Sequence, residues 1–112
     1  MTLANGKTST YKFLNEMEHD NYYPPQLVAK GKFILQGLCL QIEAQRPQTL
    51  EQLFQLTHEA TEQFNRLSDE FDEQGSELET VARENIAKDV DFIAQAYGFH
   101  EDLESLIQNR EW

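Results

Sequence analysis

Apolar residues recur along this chain at steps of three and four, not two, over three long stretches, the spacing that lines one face of an α-helix. The clearest is the third helix, expected over residues 50–74. There Leu50, Leu53, Thr57, Ala60, Phe64, Leu67 and Phe71 form a heptad seam. A fourth helix over 77–97 answers with Leu78, Val81, Ala82, Ile86, Val90, Ile93 and Tyr97, and a second over 25–45 with Leu27, Gly31, Ile34, Leu35, Leu38 and Ile42.

The punctuation agrees with the periodicity. Pro24 precedes the second helix and Pro25 opens it, in a first turn where a missing N–H has no intrahelical partner to lose. Thr49 with Gln52, and Ser76 with Glu79, have capping-box spacing, and Gly75 and Gly98 suit left-handed helix stops. A shorter first helix is expected from the Thr8, Ser9, Thr10 cluster to Asp20, with Phe13, Leu14 and Met17 facing in. A short fifth is expected from Glu101 and Asp102 to near Arg110. The fold class is therefore all-α: one domain over 1–112, an antiparallel bundle of three long helices closed by a short N-terminal and a short C-terminal helix.

Helix 2 carries a second apolar stripe, Phe33, Gly37, Leu40 and Ala44, roughly opposite its main one. Either helix 1 or helix 5 covers it, or it is a homodimer face. In both cases helix 2 is central.

Charge narrows the function. The net charge is -11. Residues 1–50 hold five Lys/Arg against four Asp/Glu, whereas 51–112 hold four against sixteen. Such a chain repels nucleic acid, whose binding depends on neutralising phosphates, and a basic protein is the charged partner it suits. Between Glu59 and Glu79 stand eight carboxylates and one cation, Arg66. This run reads either as a solvated surface or as a docking face centred on Glu62, Asp69, Glu70, Asp72 and Glu73. No apolar run approaches the roughly 20 residues a membrane span needs. One cysteine and no leader-like N-terminus make a reducing cytoplasm the expectation.

Candidate chemistry is sparse. His58, Glu59 and Glu62 in HEATE fall on the polar side of helix 3, and the one Glu-x-x-His, Glu16 to His19, has no second copy. Both read as solvated faces. His100 reads as a cap or surface residue, and Cys39 as a small core hydrophobe. No phosphate loop, paired-cysteine motif or nucleophile elbow occurs, so no catalytic residue, metal ligand or cofactor is assigned.

Asp89 differs, because it lies close to the apolar face of helix 4, one turn after Asn85. A buried carboxylate needs partners, and Thr57, Thr61 and Ser68 on helix 3 are the expected hydroxyl donors. The group serves either to fix helix register or to line a small-molecule pocket. Tyr22 and Tyr23 before the prolines read as a packing staple or a recognition loop, and Trp112 as a dock for the C-terminus.

The stretches NEMEHDNYYPPQLVAKGK, LTHEATEQFN and SELETVARENIAKDVDFIAQAYGF resemble a family of small bacterial proteins catalogued as a domain of unknown function, over most of the chain. The resemblance implies a bacterial, cytoplasmic helical domain and carries over no functional residue. The expected function is a non-enzymatic acidic interaction module, of an inhibitor or immunity type, binding a basic partner. The alternative is a small enzyme or ligand-binding protein with a polar pocket around Asp89 and Asn85.

Overall fold

The computed structural model describes residues 3–112. Its helices are α1 (Asn15–Glu18), α2 (Pro25–Gln45), α3 (Leu50–Glu73), α4 (Thr80–Ala96) and α5 (Leu103–Leu106). The three long helices form a bundle around one apolar cluster that runs from Phe13 to Ile107. α2 packs along α3, α4 lies against α2, α1 wedges between α4 and α2, and α5 closes α3 and α4.

Helix ends follow the local chemistry. The Thr49 hydroxyl caps α3 by accepting the Gln52 amide at 3.2 Å, and the Gln52 side chain reaches back to the Gln48 amide rather than to that of Thr49. α3 ends where Gly75, at φ 75, takes a left-handed turn that lets Ser76 N–H donate to the Phe71 carbonyl. Gly98 ends α4 in the same way.

The core is built from the expected seams. Leu53, Phe64 and Phe71 on α3, Leu27 and Leu35 on α2, and Ile86 and Ile93 on α4 are fully buried, each stabilising the fold by about 1.5–3 kcal/mol. Gly31 faces this core. A Cβ there would stand 2.6 Å from Leu14 Cδ1 and 3.4 Å from Phe64, so α1 and α3 close on α2 through the space glycine leaves.

Several expectations are corrected. The first helix does not begin at Thr8–Thr10: α1 is a single turn, preceded by Leu14 at φ 52. Thr8 is buried and bonded to Tyr97 instead of capping. The Ser76–Glu79 capping box does not form, and α4 starts at Thr80 with no side-chain cap. Leu50, the first residue of α3, is 45 % exposed, and Val81 is 43 % exposed because it lies outside the arc of Ala82, Ile86 and Ile93. Neither α1 nor α5 covers the second stripe of α2. Phe33 is 64 % exposed, and nothing lies within 4 Å of a Cβ built at Gly37.

Candidate functional site

Asp89 is 0 % exposed and both of its carboxylate oxygens are occupied. Oδ2 accepts the Leu14 amide at 2.6 Å and Oδ1 accepts the Tyr11 hydroxyl at 2.8 Å. One turn earlier on α4, Asn85 Oδ1 accepts the Met17 amide at 3.1 Å. Leu14 and Met17 are the N-cap and third residue of α1, whose first-turn amides have no intrahelical acceptors. The two α4 side chains therefore cap α1 across the core, doing what α1 lacks in its own sequence. They also hold Leu14 in a left-handed conformation that leucine avoids.

Burial pushes the Asp89 carboxyl above the usual carboxylate range, and the Leu14 N–H and Tyr11 hydroxyl bonds oppose it. Tyr11 is raised too, first by burial and then by its bond to Asp89. Its ring stacks on Phe92 with centroids 3.9 Å apart. The expected hydroxyl donors are not brought to this site. Thr61 Oγ1 donates to the Thr57 carbonyl at 2.8 Å and Thr57 Oγ1 points back to Phe54, so both satisfy themselves within α3. Asn85 Nδ2 is buried without an acceptor. The arrangement caps and orients, and it opens no carboxylate oxygen to solvent.

A second staple, not foreseen from sequence, holds the other end of the N-terminal segment. Glu43, the single carboxylate of α2, accepts the amides of Ala4 at 2.9 Å and Asn5 at 3.1 Å, and also the Tyr97 hydroxyl. The Ala4 amide first, then the Tyr97 hydroxyl and last the Asn5 amide hold its carboxyl below the usual range, against the opposing effect of burial. Asn5 Nδ2 donates to the Ala96 carbonyl at 2.8 Å. Cys39 lies fully buried beneath, its thiol pushed up to about 12 by burial. The segment from Ala4 to Leu14 is thus strapped across α4 and α2 by two carboxylates. Between strap and α4 runs a groove of about 460 Å³ lined by Lys7, Tyr11, Lys88, Phe92 and His100, with Lys88 paired to Glu16.

The HEATE turn is a ledge rather than an open face. His58 Nε2 meets the Ser105 carbonyl at 2.8 Å, its ring stacks on Phe54, and Asn109 Nδ2 donates to both the His58 carbonyl and Glu62. Trp112 packs edge-on against Phe64. The contacts of His58 and Glu62 with the C-terminal segment are not legible in HEATE, because their partners lie over 40 residues away in sequence. Glu16 and His19 project outward. Among the described residues no three His, Cys, Asp or Glu side chains converge on a point where a metal could sit, and no helix is long and apolar enough to cross a membrane.

The acidic residues of α3 divide. Asp69 and Glu73 lie about 20° to either side of Glu62 on a helical wheel. Glu70 turns to α2 and pairs with Lys30, and Asp72 lies on the other flank. Asp69, Asp72 and Glu73 are exposed, in or next to a last turn that contains no basic residue.

The described structure is thus a helical bundle whose buried Asp89 and Asn85 act as joinery and whose exposed surface carries carboxylates, Asp69, Asp72 and Glu73 among them, outside the four ion pairs of the described residues. The model of a family of unknown function, DUF5713, matches residues 7–112, and the chain belongs to that family. No curated protein and no solved structure matches it.

Proposed function

We propose that this chain is an acidic protein-interaction module of the bacterial cytoplasm, without catalytic chemistry of its own, that docks a basic partner on the C-terminal half of α3. An inhibitor or immunity-type role fits this reading. One observation carries it: among the described residues no cation pairs with Asp69, Asp72 or Glu73, which stand exposed in or next to the last turn of α3, at the negative end of its dipole. Carboxylates there cost about 0.3–1 kcal/mol each. A fold that keeps three of them where they weaken it favours a role outside the fold. The single cysteine is buried and free, in keeping with a cytoplasmic setting.

Charge of this kind raises encounter rate and sets specificity more than it sets final affinity. The test is capture from host lysate at low salt with the native chain and with Asp69→Lys, Asp72→Lys, Glu73→Lys combined, followed by association kinetics with any protein identified. The expected result is a basic protein held by the native chain alone, whose association rate falls as salt rises. Equal capture by both chains, or a rate indifferent to salt, contradicts the proposal.

A further inference from the structure

α2 contains two glycines in its interior, and only one has a reason inside the fold. Gly31 is packed so closely by Leu14, Phe64 and Leu67 that no side chain fits without movement. Gly37, six residues on, faces open space. Glycine in mid-helix weakens the helix relative to alanine, and no described residue comes within 4 Å of the Cβ position at Gly37. Close approach of another backbone is what that space serves.

The surface around Gly37 is the outer stripe of α2: Ala29, Phe33, Gln36, Gly37, Leu40 and Ala44. It carries no charge, on a chain of net charge -11. Its pattern is symmetric about the point between Gln36 and Gly37. Turned end for end about a two-fold axis there, Ala29 faces Ala44, Phe33 faces Leu40, and Gln36 lies beside Gly37. An isologous interface needs this self-complementarity, and a foreign partner gives no reason for it. Charge also favours a second copy here. α2 carries Lys30, Lys32 and Glu43 as its only charged residues, so two acidic chains repel least when they meet through it.

We propose that α2 joins two copies of this chain in an antiparallel, two-fold symmetric pair, with Phe33 packing on Leu40 of the second copy and Gly37 letting the helices close. The stripe spans about 24 Å and, at a helix width of about 10–12 Å, covers roughly 300 Å² per copy. That is below the about 800 Å² per partner of a standard stable complex, so the pair is a reversible, concentration-dependent dimer. It does not depend on the acidic docking face, which lies on α3.

Sedimentation equilibrium over rising protein concentration gives the first test. The native chain moves from monomer to dimer mass, and Phe33→Asp, exposed in the monomer and so without a folding penalty, weakens association about 10-fold or more while circular dichroism keeps its helical signal. A short thiol cross-linker then reads the register. Gln36→Cys links to itself at the axis. Ala29→Cys and Ala44→Cys, each about 22 Å from its own symmetry mate, link only when the two variants are mixed. Buried Cys39 does not compete. A monomer at every concentration up to about 1 mM, association unchanged by Phe33→Asp, or self-linking of Ala29→Cys overturns the proposal.

Discussion

Asp89 holds Leu14: a carboxylate on α4 accepts the amide of a leucine 75 residues away at 2.6 Å and keeps it in a left-handed turn. The bond starts α1, and it explains why an acidic residue sits at the centre of an apolar face. Asp89→Ala leaves the buried Leu14 N–H without an acceptor and should lower stability by roughly 3 kcal/mol. Asp89→Asn keeps one acceptor oxygen and should cost about half as much. The midpoint of urea unfolding measures both, and an unchanged midpoint in Asp89→Ala removes the joinery role.

The two staples of the N-terminal strap respond oppositely to acid. The carboxyl of Glu43 titrates lower folded than unfolded, so its contribution is present above the ordinary carboxylate range and is lost as pH falls through the folded value. Asp89 titrates higher folded than unfolded. Its contribution is fullest at low pH and declines as pH rises through the raised value. Acidification should therefore release the strap from its Ala4–Asn5 end while the Tyr11–Leu14 end stays bound. Amide exchange by NMR should show Ala4 and Asn5 losing protection before Leu14, and simultaneous loss at all three would refute the two-staple description.

The glycines of α2 should answer the same substitution with opposite signs. Gly37→Ala adds a methyl in open space and removes backbone freedom from the unfolded chain, stabilising a dilute sample by about 0.5–1 kcal/mol. Gly31→Ala drives a Cβ to 2.6 Å from Leu14 Cδ1, and Leu14 is buried with its backbone already strained, so a net loss of about 1 kcal/mol is expected. Thermal unfolding of the two variants side by side decides it.

Asn109 ties the C-terminal segment to the HEATE ledge. Asn109→Ala should cost about 1 kcal/mol and loosen α5 and Trp112 from α3. Because Trp112 is the only tryptophan, its emission should shift to the red in this variant and in His58→Ala. Unshifted emission in both would show that the Phe64 contact and the Asn65 bonds to the Asn109 carbonyl and Glu111 amide hold the segment without His58 or the Asn109 side chain.

The legible part of this molecule was what periodicity and caps encode. The bounds of α2, the seam of α3 and the stop at Gly75 follow from residues within a few positions of one another. The illegible part was tertiary hydrogen bonding. Thr8–Thr10 looks like a helix start, but a local turn caps itself on Asn5, whose Oδ1 accepts the Lys7 and Thr8 amides, while Glu43 and Asp89 hold the flanking Asn5 and Leu14 amides from 38 and 75 residues away. Asp89 and Asn85 stood out as polar residues on an apolar face. Their partners did not, since two are the main-chain amides of Leu14 and Met17, which every residue but proline possesses, and the third, the Tyr11 hydroxyl, lies 78 residues away in sequence. Thr57 and Thr61, hydroxyls on the facing helix, could satisfy themselves on their own α3 carbonyls without any partner.

The central claim is that the charge at the end of α3 serves binding at the expense of the fold, and Asp69→Asn, Asp72→Asn, Glu73→Gln combined tests it most directly. Its thermal stability and its capture of a basic partner are measured against the native chain. The account predicts a variant that melts higher, by about 0.3–1 kcal/mol of stability per residue, and that no longer retains the partner. A variant that melts lower, or that retains the partner as well as the native chain does, contradicts it.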